Sequence, residues 1–119
     1  MSKTVAILDD DPLSCEALSS LLRADGYCAL TFGSVNDLLR SGPERFGCIF
    51  SDIWMEGQTG IDLLEILAGQ GNMPVVILMT ARFDRDQAAH AMEIGARAVL
   101  EKPLSAERVS ELVALYCPE

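Results

Sequence analysis

Basic side chains are scarce in this sequence. Its 119 residues include 9 Lys and Arg against 18 Asp and Glu, which gives a formal net charge of −9. A protein that binds nucleic acid directly needs a basic patch to neutralise the phosphate backbone. The composition therefore argues against DNA or RNA as a direct ligand.

Long apolar runs are also missing, although 50% of the residues are hydrophobic. No run approaches the roughly 18 apolar residues that a membrane-spanning helix needs. The first residues, 1–4, lead directly into an apolar segment without the basic stretch and cleavage site of a signal peptide. These features predict a soluble, cytoplasmic protein with no membrane partner.

Paired cysteines of the metal-binding kind are absent as well. The four cysteines, Cys15, Cys28, Cys48 and Cys117, are scattered and form no C-x-x-C pair, so zinc is not expected. Three of the four lie in apolar surroundings, which is typical of buried, reduced thiols.

What the sequence does contain is a regular alternation of two patterns. Five short apolar runs, rich in β-branched residues, alternate with five segments of helical periodicity. The predicted strands are Val5–Leu8, Cys28–Phe32, Cys48–Ser51, Val75–Met79 and Ala98–Leu100.

Helix boundaries follow from capping residues and helix breakers. The first helix is predicted to begin at an Asp11 cap with Pro12 and to end before Gly26. The second helix is predicted to begin at Ser34, which with Asp37 resembles a capping box, and to stop at Gly42. The third and fourth are predicted over 61–68 and 84–94, and the fifth begins after a Ser105 cap. The apolar stripe of the first helix is Leu13, Ala17, Leu18, Leu21 and Leu22, and that of the fifth is Val109, Leu112, Val113 and Tyr116.

Strict alternation of strands and helices predicts an α/β fold with a parallel sheet between two helical layers. The connections are short, and the sequence contains no internal repeat, low-complexity tract or interdomain linker. We therefore expect one domain, a three-layer α/β/α sandwich.

Reactive side chains follow four of the five predicted strands. Asp9, Asp10 and Asp11 follow the first, Asp52 the third, Thr80 the fourth and Lys102 the fifth. Because ligands of such sheets bind beyond the carboxyl ends of the strands, these side chains are expected to share one site.

The chemistry of this set points to phosphoryl transfer. Clustered carboxylates repel unless a cation joins them, and an all-oxygen cluster suits Mg2+. Asp52 is then a carboxylate nucleophile that forms an aspartyl phosphate. Lys102 and the Thr80 hydroxyl can each bind a phosphate oxygen.

Taken together, these motifs resemble the receiver domains of two-component response regulators. The matching segments are ILDDD at 7–11, IFSDIWM at 49–55, LMTA at 78–81 and EKP at 101–103. The resemblance covers essentially the whole chain and implies a single receiver domain over residues 1–119. It also implies a doubly wound, flavodoxin-like sheet of five parallel strands in the order 2-1-3-4-5.

The same resemblance implies a phosphorelay switch rather than a conventional enzyme, since such a domain catalyses only its own phosphorylation and autodephosphorylation. Asp52 accepts the phosphoryl group from a histidine kinase or a histidine phosphotransfer protein. Asp9 and Asp10 form the acid pocket, and the metal ligands are carboxylates of this pocket, Asp52 and the Trp54 carbonyl. Phosphorylation then changes contacts with a downstream protein target or effector domain, or with a second copy through the fourth helix, fifth strand and fifth helix.

Three positions depart from the usual receiver pattern. Glu56 stands where proline is usual, and it places another carboxylate near the site. Val99 replaces an aromatic residue, so the usual coupling of the threonine to a rotating ring cannot operate. Trp54, together with Arg82, is expected to shield the aspartyl phosphate from water and slow its hydrolysis.

Two other functions remain open on the sequence alone. A degenerate receiver that only docks and never cycles is compatible with Val99 and Glu56. A magnesium-dependent phosphohydrolase with its nucleophile after the first strand is superficially compatible with residues 9–13, although the motif's continuation is missing.

Overall fold

Buried parallel strands form the centre of the fold, which a computed structural model describes over residues 4–71 and 73–117. The strands are β1 (Thr4–Leu8), β2 (Cys28–Phe32), β3 (Cys48–Asp52), β4 (Val76–Thr80) and β5 (Ala98–Glu101). They pair in the order β2-β1-β3-β4-β5, and all four pairings are parallel. The predicted strand order is confirmed. The ends of the predicted domain, at residues 1–3 and 118–119, lie outside the described residues.

The helices begin where capping residues predict. They are α1 (Pro12–Ala24), α2 (Val35–Arg40), α3 (Gly60–Gly69), α4 (Arg85–Ile94) and α5 (Ala106–Tyr116), with a 3₁₀ turn at Pro43–Arg45. Asp11, Ser34, Asp84 and Ser105 each accept a hydrogen bond from a backbone N–H of the following turn. The Asp37 carboxylate, however, binds Arg40, and the complete capping box is formed by Thr59 and Asp62.

Alternate residues of each strand point to opposite faces of the sheet and pack into two separate hydrophobic cores. Val5 and Ile7 of β1 face a cluster with α1 and α5, whereas Ala6 and Leu8 face a cluster with α2, α3 and α4. The two helical layers therefore cover opposite faces of the sheet, as the predicted three-layer sandwich requires. The loops that carry the polar residues lie at the carboxyl edge of the sheet.

The exposure of some apolar positions differs from what the sequence pattern alone suggests. Leu13 is 76% exposed because it lies in the first turn of α1, at the open carboxyl edge of the sheet. Cys28 is exposed because β2 is an edge strand, and Cys15 is only half-buried. Cys48 and Cys117 are buried as expected, and burial raises the pKa of the Cys48 thiol far above its usual value. Over the described ranges, no helix has the length and apolarity needed to cross a bilayer.

A close backbone approach requires glycine at position 60, the first residue of α3. A Cβ atom there would lie 2.6 Å from the Asp52 carbonyl oxygen and 3.1 Å from the Ile53 Cα. The Gly60 N–H also donates to the Ile53 carbonyl at 2.9 Å. The start of α3 is thus pressed against the backbone that carries Asp52.

We expect Gly60→Ala to lower the free energy of unfolding by about 1–3 kcal/mol, because the added methyl group meets backbone rather than a flexible side chain. Urea denaturation measures this change. Gly69→Ala is the matched control at the other end of α3, where a Cβ would meet nothing within 4 Å. The control should be neutral or stabilising by up to about 1 kcal/mol; equal effects of both variants would contradict the account of position 60.

Candidate functional site

Three charged side chains meet at the carboxyl ends of the strands. Asp9 follows β1, Asp52 ends β3 and Lys102 follows β5. Because β1 and β3 run parallel with Leu8 opposite Ser51, Asp9 and Asp52 emerge side by side. Lys102 approaches them from the far side of β4. The structure therefore brings together three of the residues predicted to share a site.

The Lys102 ammonium group binds both carboxylates. Its Nζ donates to Asp9 Oδ2 at 2.8 Å and to Asp52 Oδ2 at 3.0 Å. A third, longer contact of 3.4 Å joins Nζ to the Ser14 hydroxyl of α1. An ammonium group has three N–H donors, so these contacts account for all of them.

Burial shapes the electrostatics of this cluster. The side chains of Asp9, Asp52 and Lys102 are 1%, 13% and 19% exposed, respectively. Burial raises the pKa of Asp52, and the hydrogen bond and charge of Lys102 offset this only in part. Burial alone would lower the pKa of Lys102, but the bonds to Asp9 and Asp52 outweigh it and raise that pKa. Lys102 is therefore a cation at neutral pH.

Asp10 is joined to the loop after β3. Its exposed side chain accepts a hydrogen bond at Oδ2 from the Glu56 N–H, at 3.1 Å. In the same loop, the Trp54 N–H donates to Asp52 Oδ1 at 3.2 Å. Because proline has no N–H, the bond to Asp10 exists only because position 56 lacks the proline that is usual in receivers. The structural consequence of Glu56 thus lies in its backbone N–H.

The predicted magnesium ligands, Asp9, Asp10, Asp52 and the Trp54 carbonyl, offer only oxygen atoms. This donor chemistry fits Mg2+. Nevertheless, among residues 4–71 and 73–117 no group of three or more His, Cys, Asp or Glu side chains is arranged to hold a metal ion. Asp9 and Asp52 share Lys102 instead. The donor set suits the ion, and the ligation itself stays a prediction.

Thr80 ends β4 between the acidic residues and Lys102, and it is fully buried. Its hydroxyl donates to the Arg82 carbonyl at 3.0 Å and accepts from the Arg82 N–H at 3.2 Å. The Lys102 N–H in turn donates to the Thr80 carbonyl at 2.8 Å. In this conformation the hydroxyl is hydrogen-bonded to the backbone of the loop after β4.

Exposed aromatic rings lie in the loops of the same edge. Trp54, in the loop after β3, is 57% exposed, and Phe83, in the loop after β4, is 47% exposed. Arg82 is also exposed, whereas Val99 of β5 is half-buried. Sequence reasoning singled out Trp54 and Arg82 and overlooked Phe83.

Two further contacts of the site were not foreseen. Ser14 was not singled out because it belongs to no motif, and serine is common at the start of a helix. The Glu56 N–H belongs to the backbone, which every residue except proline supplies. Only the missing proline at position 56 was a signal that could have led to it.

Fold and site together define a doubly wound α/β domain with a carboxylate–lysine centre at the carboxyl ends of its strands. The family model of the response regulator receiver domain matches residues 5–114. The chain therefore belongs to the response regulator receiver domain family. Members of this family are signalling switches of two-component systems and generally not conventional enzymes.

Curated relatives support this assignment. The transcriptional regulatory protein FixJ of Bradyrhizobium diazoefficiens is 32% identical over 110 residues, which cover 92% of this chain and 54% of the relative. FixJ of Azorhizobium caulinodans is 38% identical over 103 residues, which cover 86% of this chain and 49% of the relative. The chain thus spans about half the length of these relatives.

A solved structure agrees with the fold. The solution structure of the beryllofluoride-activated NtrC4 receiver domain dimer has a TM-score of 0.89 and 29% identity. The match covers 96% of this chain and 95% of that chain. The similarity extends over the whole sandwich.

The buried Asp52 carboxylate gives a pH-dependent prediction. Its pKa is higher in the folded than in the unfolded chain, so its stabilising contribution is complete below the unfolded pKa and is lost as pH rises through the folded pKa. With EDTA present, we therefore expect Asp52→Asn to unfold at higher urea concentration than the native protein at about pH 7 and equally at about pH 3.5.

Asp86→Asn is the control for this prediction, since Asp86 is exposed in the first turn of α4. Its difference from the native protein should stay small at both pH values. A native protein as stable as Asp52→Asn at neutral pH would show that Lys102 fully compensates the burial of the carboxylate.

Proposed function

We propose that this chain is a phosphorylation switch in which Asp52 accepts a phosphoryl group from a histidine kinase or a histidine phosphotransfer protein. The observation that carries the proposal is the 3.0 Å contact between Lys102 Nζ and Asp52 Oδ2. It puts a fixed cation beside a buried carboxylate at the edge of the sheet where α/β proteins bind ligands. A phosphoryl group bonded to Asp52 would meet that cation directly.

The proposed reaction is a displacement at phosphorus. An oxygen of the Asp52 carboxylate forms the new P–O bond, and the bond from phosphorus to the donor breaks with its electron pair on the donor. Lys102 leaves Asp52 for a phosphoryl oxygen while its 2.8 Å bond to Asp9 holds it at the site. No proton needs to move, because Lys102 acts as a charge and Asp52 reacts as the carboxylate.

The residues that would hold Mg2+ are Asp9, Asp10, Asp52 and the Trp54 carbonyl. When bound, the ion neutralises the charge that develops on the phosphoryl oxygens. The 3.1 Å bond from the Glu56 N–H to Asp10 ties the loop after β3 to the acid pocket. Asp10 is thereby kept beside the loop that supplies the proposed carbonyl ligand.

The output of the switch is proposed to start at Thr80. To donate its hydrogen bond to a phosphoryl oxygen, the hydroxyl has to release the Arg82 carbonyl, which lies 3.0 Å away. That release frees the loop that leads into α4. With Val99 in place of an aromatic ring, we propose that the change reaches the α4–β5–α5 face through this loop.

We propose that the α4–β5–α5 face binds a downstream protein, an effector domain or a second copy of the chain. The NtrC4 structure, a dimer of an activated receiver domain, supports the homodimer. The net charge of −9 supports protein partners rather than direct contact with nucleic acid. We assign the switch to the cytosol, where Mg2+ and the phosphodonor are available, and we expect it to catalyse its own dephosphorylation.

Incubation with Mg2+ and acetyl phosphate tests the acceptor. We expect the intact mass to increase by one phosphoryl group in the native protein and in Asp86→Asn, and not in Asp52→Asn. EDTA should prevent the increase, and Mg2+ binding can be followed in parallel by the fluorescence of Trp54, the only tryptophan.

Each other result has a definite meaning. Phosphorylation that persists in Asp52→Asn would refute Asp52 as the acceptor. A native protein that binds Mg2+ but gains no mass would be retested with a histidine phosphodonor protein. Failure with both donors would favour the docking module, which the ion pairs of Lys102 could stabilise without any phosphate.

Shielding by Trp54 predicts a long-lived aspartyl phosphate. The indole lies two residues after Asp52 and is large enough to restrict the approach of water. We therefore expect Trp54→Asn to shorten the phosphoryl half-life several-fold, measured by intact mass after removal of the donor. Phe83→Asn, a change of another exposed ring in the neighbouring loop, should have a smaller effect. Equal half-lives in the native protein and Trp54→Asn would contradict the shielding.

A further inference from the structure

The hydroxyl of Ser14 lies where the first turn of α1 meets Lys102. Its Oγ is 3.4 Å from Lys102 Nζ, and it donates to Asp11 Oδ2 at 3.0 Å. The same Asp11 carboxylate caps the helix, because its Oδ1 accepts from the Leu13 N–H at 3.2 Å. A hydroxyl has one proton and two lone pairs. With the proton committed to Asp11, a lone pair remains for the ammonium group.

The chemical surroundings set this serine apart. A groove of about 490 Å3 runs between α1 and the loop after β5, and most of its wall is apolar, with Leu18, Leu21 and Leu104 among the lining residues. Ser14 lines the end of the groove that also contains Asp9 and Lys102. An apolar side chain at position 14 would pack against the walls of this groove equally well. The part of Ser14 that distinguishes it is therefore the hydroxyl, through its polar contacts.

Phosphoryl transfer would change the demands on Lys102. Before transfer, its ammonium group has Asp9, Asp52 and Ser14 as partners. When an Asp52 oxygen bonds to phosphorus, Lys102 has to turn one N–H from Asp52 to a phosphoryl oxygen. A lysine side chain has many rotamers, and one remaining anchor leaves it free to pivot. Two anchors, Asp9 after β1 and Ser14 on α1, fix the direction of the third N–H.

We propose that Ser14 is a positioning residue for phosphoryl transfer: its hydroxyl, oriented by Asp11, keeps the Lys102 ammonium group directed at the incoming phosphoryl oxygens. This role rests on the proposed function of Asp52 as the acceptor. With acetyl phosphate as donor, Asp52 forms the bond to phosphorus, and the P–O bond to acetate breaks with its electron pair on acetate. Ser14 and Lys102 neither gain nor lose a proton.

The test compares Ser14→Ala, Ser14→Thr and the control Ser20→Ala in the full chain. Ser20 is an exposed serine of the same helix. Threonine keeps the hydroxyl, and the groove gives space for its methyl group. We expect Ser14→Ala to slow phosphorylation by acetyl phosphate about three- to tenfold, the range for losing one ordinary hydrogen bond, because the 3.4 Å contact is long. Ser14→Thr should restore most of the rate, and Ser20→Ala should match the native protein.

A second measurement reads the position of Lys102 without any phosphorylation. The chain has only one other lysine, Lys3, which serves as an internal reference. Reductive methylation by formaldehyde and a hydride donor, followed by peptide mass spectrometry, should modify Lys102 faster relative to Lys3 in Ser14→Ala. Ser14→Thr should reverse that increase. A loss of stability common to the serine variants would not give this pattern of rescue.

The two readouts separate failure of this proposal from failure of the proposed function. If the native protein is phosphorylated and Ser14→Ala matches it in rate and methylation, the positioning role is refuted. The role is also refuted if Ser14→Thr behaves like Ser14→Ala, because the hydroxyl would then not be the determinant. If the native protein is not phosphorylated at all, the proposed function fails, and methylation alone decides whether Ser14 holds Lys102.

Discussion

The ammonium group of Lys102, shared by Asp9 and Asp52, is the interaction on which the site depends. Two carboxylates at the ends of adjacent strands would repel each other in a poorly solvated edge of the sheet. Lys102 places one positive charge between them, at 2.8 and 3.0 Å, and thereby ties the end of β5 to the ends of β1 and β3 across the end of β4. Without Lys102 both buried carboxylates would be left uncompensated, so the three side chains are constrained as a unit. The Lys102 charge that would bind a phosphoryl group therefore links the ends of three strands without one.

The apolar sheet makes this arrangement possible because it fixes where each strand ends. Strands β3 and β4 are buried along their whole length, and both faces of the sheet are covered by helices. Hydrogen bonding continues to the last residue of each strand and beyond, as the 2.8 Å bond from the Ile53 N–H to the Met79 carbonyl illustrates. Gly60 then lets α3 approach the Asp52 backbone closely. Positions of charged atoms at the edge are thus set by packing several residues away.

Sequence patterns predicted the elements well because buried strands and capped helices each leave a strong local signal. The strand order came from the family resemblance, since periodicity does not tell which strands are neighbours. Errors arose where exposure depends on the position of an element in the assembled fold: Leu13 matched the helical stripe but lies beyond the sheet, and Cys28 lies on an edge strand. For the site, residue types and strand ends identified Asp9, Asp52 and Lys102. The contact of Ser14 with Lys102 could not be predicted, because it depends on how α1 is docked against β5.

The hydrogen bonds of Thr80 link the site to its proposed output. The hydroxyl can donate only one hydrogen bond, and that bond goes to the Arg82 carbonyl. In the proposed switch, phosphate binding and the present loop conformation would therefore compete for a single proton. The receiver resemblance implies an aromatic ring at position 99 that would rotate as the threonine moves. Here the half-buried valine offers no such partner, so in the proposed switch the free energy of phosphate binding would act on the loop at 81–84 that precedes α4. The Asp84 cap at the end of that loop makes the start of α4 the first regular element to be affected.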